Sequence, residues 1–455
     1  MGFASLWFLA LFLPCSLLVY ALTPKKSKNL ILLLISLLFY SQLEMFNLVF
    51  MMVSVTIDYV LSRLMQHFDN DNNMRRRMLI VSMVKNLGIA LIAGTGHELS
   101  PNDVPVGLYV YLFSALGYLI DVYKGDEVYE KNYIRFALYC TMFPRIYAGP
   151  MFSYNSFRTQ LGSRIFNLDR VSKGFTLFVF GFAKQVVLLP ELRAFTGGLL
   201  ALYPHNFSAA AAWLLIPSVV LCYYYAFSSW CDMAQGLGIM FGFNFLSGFD
   251  YPLVCASVSD FLLRFNGSVT SFIRKYVTVQ LSADPNGMAS AIFNLLISSM
   301  LVGMWYSMNF AGILWGVYVG VLLVLEQCVL ARQLKHIPDF FRRIAVWLLL
   351  FPAVLIFISP DAGRFFGLIR SLFGISVSPM NGQVSYLLRT HWLALLAAAL
   401  LSTPLLRPFR RVLALAPINR RQEEQHISPV TRALLRTGAF LLTVALLALS
   451  VMMML

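Results

Sequence analysis

Long apolar runs separated by short polar loops make up the chain from one end to the other. An α-helix needs about 20 mostly apolar residues to cross the hydrocarbon core of a bilayer. Runs near that length are predicted as helices at 3–22, 29–42, 44–65, 78–96, 106–122, 133–148, 172–190, 208–226, 228–245, 288–308, 311–333, 342–359, 387–405 and 431–455. Two of them, 29–42 and 133–148, are short. They are predicted to be re-entrant or enclosed by neighbours, because backbone in lipid must find its hydrogen bonds inside the protein. The pattern therefore predicts an all-α polytopic membrane protein, one integral-membrane domain over 1–455 with about ten to fourteen transmembrane or re-entrant helices.

The polar insertion 246–287 departs from this pattern. Within 259–276, Phe261, Leu262, Phe265, Val269, Phe272, Ile273 and Tyr276 recur at spacings of three and four, which predicts one amphipathic helix. Its polar face, with Arg264, Asn266, Ser268 and Arg274, is expected to turn toward water or substrate. Ionisable residues inside apolar runs are costly and commonly face a partner or a cavity. Lys85 with Asn86, Asp121, Lys184 and Asp232 are of this kind. Taken singly each reads as an interhelical pair. Taken together with the 246–287 insertion they predict a polar cavity within the bundle.

Composition agrees with the pattern. Hydrophobic residues make up 59% and charged residues 12% of the chain, against roughly a quarter charged in soluble domains. The formal charge of +14 would point to nucleic acid in a soluble protein. Here it sits in short loops: Lys25, Lys26 and Lys28, then Arg75, Arg76 and Arg77, and later Arg407, Arg410, Arg411, Arg420 and Arg421. That distribution sets topology and touches anionic membrane lipids, with no nucleic-acid partner. The positive-inside bias puts these loops in the cytoplasm and the amino terminus outside. The first segment lacks a basic start and a small-residue cleavage site, so it is expected to stay as a helix. Cys15, Cys140, Cys222, Cys231, Cys255 and Cys328 show no metal-ligand spacing and read as free, mostly buried thiols.

Several ordered motifs resemble those of bacterial membrane-bound O-acyltransferases. They are Gly117-Tyr118-Leu119-Ile120-Asp121-Val122-Tyr123-Lys124-Gly125, Phe143-Pro144-Arg145-Ile146-Tyr147-Ala148-Gly149-Pro150 and Gly181-Phe182-Ala183-Lys184-Gln185-Val186. The stretch Phe227-Ser228-Ser229-Trp230-Cys231-Asp232-Met233-Ala234 is similar to the family's Phe-Ser-Gly-Tyr-Ser-Asp-Met-Ala, and Phe249-Asp250-Tyr251-Pro252 follows as it does there. The resemblance covers about 1–330, with a motif-bearing core at about 105–330; helices after 340 are supported by hydropathy alone. The nearest branch in appearance holds alginate O-acetylases, teichoic-acid D-alanyl-transfer proteins and peptidoglycan O-acetylases. It implies a ring of tilted helices around a thin central partition and cavity. The acyl donor, an acyl-CoA or acyl-carrier protein with no bound cofactor, would approach from the cytoplasm. The acceptor would be a cell-surface polymer, reached through an extracytoplasmic esterase-like partner, and the two sides would meet at a histidine.

Both histidine markers differ here. The first, Phe-Trp-Arg-Arg-Trp-His-Ile-Ser-Leu in the family, reads Phe261-Leu262-Leu263-Arg264-Phe265-Asn266-Gly267-Ser268-Val269. The second, Gly-Leu-Trp-His-Gly, reads Gly303-Met304-Trp305-Tyr306-Ser307. By the resemblance, Asn266 and Tyr306 occupy the catalytic positions. Asp232, Arg264, Ser268, Trp305, Arg274, Lys184 and Asp121 then become candidates to line the cavity or bind substrate.

Acyl transfer to a hydroxyl wants a base such as imidazole, with a pKa of about 6.5. A phenol, with a pKa of about 10, is roughly a thousandfold too protonated at neutral pH, and a carboxamide does not titrate. General-base catalysis is worth about 10²–10⁴ in rate. The expectation is a catalytically degenerate acyltransferase homologue that works with a partner, which could be a histidine-bearing homologue. An active transferase using Tyr306 or Asn266, and a lipid or acyl conduit, are the alternatives. Of the other histidines, His67, His97, His205, His336 and His426 lie in hydrophilic stretches, and only His391 begins an apolar run. The loop Gln280-Leu281-Ser282-Ala283-Asp284-Pro285-Asn286-Gly287 lacks the basic character the family has there.

Overall fold

The computed structural model describes residues 2–43, 45–95, 106–147, 150–278, 287–307, 309–329, 336–375, 378–406 and 429–454. The described part is helical throughout its regular structure. The first half holds α1 (Phe8–Leu22), α2 (Lys28–Leu43), α3 (Met45–His67), α4 (Asn72–Thr95), α5 (Leu108–Lys124), α6 (Tyr133–Thr141), α7 (Tyr154–Ser163), α8 (Leu168–Ala201) and α9 (Ala209–Met240). The second half holds α10 (Val258–Arg264), α11 (Gly267–Thr278), α12 (Met288–Tyr306), α13 (Phe310–Cys328), α14 (Asp339–Ile358), α15 (Ala362–Leu372), α16 (Gly382–Leu401) and α17 (Pro429–Met452). Local sequence fixes many of the starts. The side chains of Asn132, Asn167, Ser208, Ser257, Asn309, Asp361 and Asn381 accept backbone N–H groups at the first turns of α6, α8, α9, α10, α13, α15 and α16, where such caps satisfy donors the helix cannot.

Seven helices among the described residues, α3, α8, α9, α12, α13, α14 and α16, are long and apolar enough to cross a membrane. The protein is a multi-pass membrane protein. The predicted run 133–148 forms only the short α6 followed by a tight turn at Phe143–Arg145, as its length required. One expectation is corrected. The runs at 208–226 and 228–245 are not two helices but the single α9, 32 residues and about 48 Å long. The small polar residues Ser228 and Ser229 look like a break in hydropathy, yet they leave the backbone ladder intact, and even Pro217 is accommodated within the helix.

Two crossings depend on glycine. A Cβ at Gly174 would lie 2.5 Å from the Gly236 carbonyl, and one at Gly236 would lie 2.6 Å from that of Gly174, so α8 and α9 touch backbone to backbone. In the α12–α13 hairpin a Cβ at Gly303 would lie 2.2 Å from the Gly312 carbonyl. Small residues allow such close approach where dispersion, rather than the hydrophobic effect, drives association. In this way α9 and α12, which carry Asp232 and Tyr306, are held rigidly to their neighbours.

Candidate functional site

The amphipathic segment 259–276 forms two helices, not one, and the break falls at Asn266. Ser257 caps α10 through the Asp260 N–H at 2.9 Å, and the Glu326 carboxylate accepts the Val258 and Ser259 N–H groups at 2.6 and 3.2 Å. Helix α10 stops at Arg264, and Asn266 adopts φ 58°. Few residues tolerate that left-handed conformation, and asparagine is prominent among them. The Asp250 N–H donates to the Arg264 carbonyl at 3.1 Å, and the Gly267 N–H to the Gly248 carbonyl at 2.7 Å, so residues 248–250 brace the break. The apolar spacing reads through the break although the two helices face different cores: Phe261, Leu262 and Phe265 pack in one hydrophobic cluster, Val269, Phe272 and Tyr276 in another, and Ile273 touches both.

Asn266 is buried, and its side-chain oxygen accepts the Ser268 hydroxyl at 3.2 Å. A Cβ on Gly248 would sit 3.5 Å from that oxygen and 3.1 Å from the Cys231 sulfur, which brings α9 to the same spot. Tyr306, the last residue of α12, arrives from the other side. Its ring meets Phe227, Phe265 and Trp315 edge-on, with centroids at 5.1, 5.8 and 6.2 Å. Its hydroxyl is buried and faces the Asn266 carboxamide without closing a hydrogen bond of ordinary geometry. The two positions singled out in sequence, 40 residues apart along the chain, thus converge.

A cavity of about 60 Å³ adjoins Tyr306, lined by Val219, Val220, Tyr223, Phe261, Phe265, Tyr306, Trp315, Val354 and Phe357. Its walls are apolar, which corrects the expectation of a polar cavity. The intramembrane charges turn to each other instead. Lys184, at the start of a π-helical turn within α8, meets Asp232 at 2.5 Å. Asp121 takes Lys275 at 2.8 Å and the Tyr276 hydroxyl at 2.7 Å, tying α5 to α11. Asp58 holds Lys85 at 2.6 Å together with Ser82 and Asn86. Pairing of this kind removes the cost of an isolated charge in a medium of low polarity.

The remaining candidates divide. Ser268 touches Asn266 directly. Arg264 pairs with Asp260 at 2.6 Å and reaches the Asp250 carbonyl at 3.2 Å. Trp305 faces away from the cavity, toward Tyr109 and Phe113 at 6.4 and 5.9 Å. Arg274 leaves one guanidinium nitrogen, Nη2, buried without a hydrogen bond. His391 pairs with Glu191 of α8 at 2.7 Å and packs edge-on against Phe195, away from the Asn266 and Tyr306 neighbourhood. His67 ends α3, and His205 and His336 are exposed.

The six cysteines are free, as expected; Cys140, Cys231 and Cys255 are buried and Cys222 and Cys328 half-buried, while Cys15 is exposed. Among the described residues no group of three His, Cys, Asp or Glu could hold a metal. His97, His426, Ala148, Gly149, the arginines at 407–421 and the loop 280–286 lie outside the described residues. Two kinds of residue at this site are not among the candidates read from the sequence: one beside Asn266 and one in the cavity wall. Cys231 carried a signal, standing where the motif has serine. Val354 and Phe357 belong to α14, beyond the motifs, and carried none.

No family model matches the chain. Two proteins named "Probable alginate O-acetylase AlgI" are each 30% identical to it. The one from Pseudomonas fluorescens matches over 84% of this chain and 78% of its own length; that from Pseudomonas aeruginosa matches over 77% and 72%. A "Peptidoglycan O-acetyltransferase" from Helicobacter pylori is 22% identical over 76% of this chain and 73% of its own length. With relatives of this identity and coverage, and with the two marker positions meeting inside a multi-pass helical bundle, the chain belongs to the membrane-bound O-acyltransferase family.

Proposed function

We propose that the chain serves a cell-envelope polysaccharide acylation system as a degenerate member of its family, holding an apolar or acyl ligand rather than turning over a transfer reaction. The observation that carries this reading is the meeting of Asn266 and Tyr306 at the end of an apolar cavity. No side chain of the pair can accept a proton near neutral pH: a carboxamide does not titrate, and a phenol, with an ordinary pKa of about 10, is already protonated. The Lys184–Asp232 pair is engaged with itself. An acyl group suits the cavity's apolar walls, and the retained family frame suits a role beside a histidine-bearing homologue or an extracytoplasmic esterase-like protein. The relatives' names, alginate and peptidoglycan O-acetylation, support a cell-surface polymer as the system's acceptor. The membrane is then the plasma membrane of a bacterium, with the amino terminus outside.

One observation favours a second reading. The Tyr306 hydroxyl is buried and unpaired, a state in which it could donate to an oxyanion or attack an acyl thioester, the donor being acyl-CoA or acyl-carrier protein. The test is transfer by the purified chain from a labelled acyl thioester to polymer, with and without an esterase-like partner. The degenerate reading expects none. Robust transfer that Tyr306→Phe abolishes would replace it with the second. The double change Asn266→His with Tyr306→His asks whether the frame still supports catalysis.

A further inference from the structure

Far from the Asn266 and Tyr306 neighbourhood, three cations gather at the end of the bundle that carries Lys25 and Lys26. Lys28 opens α2, Arg164 follows α7, and Arg170 lies in the first turn of α8. Aromatic rings link them in sequence. The Lys28 ammonium stands 4.8 Å from the Tyr20 ring centroid and 5.0 Å from that of Phe166. Arg164 donates to the Tyr20 hydroxyl at 3.3 Å and to the Asn29 side chain, and stacks 4.7 Å over Phe243. Arg170 donates to the Phe243 carbonyl at 3.4 Å and the Asn244 side chain at 2.6 Å.

What the cluster lacks is a counter-charge. Among the described residues none of the three makes an ion pair with a carboxylate, and Asp169, the sequence neighbour of Arg170, is exposed and pairs with none of them. Burial, then the positive charges of Arg164 and Lys25, hold the Lys28 ammonium below its ordinary range. The Nε–H groups of Arg164 and Arg170 are buried and unpaired. The fold gives Asp58, Asp121 and Asp232 a lysine partner each, whereas this cluster has no carboxylate of its own.

We propose that Lys28, Arg164 and Arg170 form a phosphate-binding site. Guanidinium forks and an ammonium suit the several oxygens and concentrated charge of a phosphate better than a single carboxylate. Two sources share that chemistry at a basic membrane face: the headgroup of an anionic phospholipid, and the phosphate of a phosphorylated acyl donor. The site stands independently of whether Asn266 and Tyr306 catalyse, since none of its residues touches theirs.

The test uses the full-length protein in neutral detergent, with thermal unfolding followed while coenzyme A, inorganic pyrophosphate or short-chain phosphatidylglycerol is added. Phosphatidylcholine is the neutral control. The expected result is a saturable stabilisation by a phosphate ligand, weakened by added salt. The affinity should fall about tenfold or more in Arg164→Gln, and again when Lys28→Gln is added, as for lost charge-assisted hydrogen bonds. It should stay unchanged in Arg76→Gln, which alters a separate basic stretch at the start of α4. Stabilisation by coenzyme A or pyrophosphate assigns the site to a donor; stabilisation by phosphatidylglycerol alone assigns it to a headgroup. Should Arg164→Gln fail to fold, Arg164→Lys keeps the charge without the fork and should still weaken binding. No stabilisation by any of the three phosphates, or stabilisation equal in wild type and variants, overturns the proposal and leaves the cluster as a structural clamp.

Discussion

Replacing Tyr306 by phenylalanine tests the account of the centre at a single oxygen atom. The ring would keep its edge contacts with Phe227, Phe265 and Trp315, so packing is unchanged and only the hydroxyl is lost. A buried polar group left unpaired costs about 1–3 kcal/mol, because it gave up water for nothing. The Tyr306 hydroxyl is in that position. Tyr306→Phe is therefore expected to be neutral or to stabilise by about 1 kcal/mol. Tyr306→Ala, which deletes the ring and enlarges the neighbouring cavity, should cost about 3–5 kcal/mol.

The measurement is reversible unfolding in mixed micelles titrated with denaturing detergent, run on wild type, Tyr306→Phe, Asn266→Ala and the double variant. Coupling between the two sites should be small for Tyr306→Phe, since no hydrogen bond of ordinary geometry joins them. Destabilisation by more than about 1 kcal/mol with clear coupling to Asn266 would refute the reasoning. It would mean that the hydroxyl is held and aimed. A held, aimed phenol is a preorganised donor, which is what the active-transferase reading requires.

Other substitutions test the frame around that oxygen. Asn266→Val should cost at least about 1–2 kcal/mol in the same assay because of the left-handed backbone, whereas Asn266→Gly should be nearly neutral in backbone energy. Asp232→Asn or Lys184→Met alone should each destabilise by about 3–5 kcal/mol by stranding a charge, and the two together should cost much less; additive losses would show that the pair is not coupled. Gly312→Ala puts a Cβ 1.9 Å from the Ser307 carbonyl and should open the α12–α13 hairpin, read as lost folded yield and faster proteolysis near residue 307.

The fold class was legible in the sequence because bilayer physics permits so few answers. A run of apolar residues long enough to span leaves helix as the structure that satisfies its own backbone, and Asn167, Ser208 and Asn309 mark where α8, α9 and α13 begin. Two features were not legible, for one shared reason. Hydropathy reports how apolar a segment is, not whether its backbone continues. It split α9 at Phe227, just before Ser228 and Ser229, where the ladder runs on, and it fused α10 with α11 across Asn266, where the ladder stops. The signal at the second point was present in residue type: asparagine followed by glycine is a pair suited to positive φ.

Pairing posed the opposite problem. Lys184, Asp121 and Lys85 stood out as isolated costs in the sequence, and a group of them pointed to a polar cavity. Their partners Asp232, Lys275 and Asp58 lie 48, 154 and 27 residues away, separations no local pattern encodes. Once those charges are paired off, the space at Tyr306 is bounded by valine and aromatic rings from five helices. The polar residues in this bundle spend themselves on holding α3 to α4, α5 to α11 and α8 to α9. Because the charge goes into the frame, the centre is left to a carboxamide, a phenol and an apolar wall. The contacts that brace Asn266 and Tyr306 require the left-handed turn and the glycine crossings, and none of them requires imidazole.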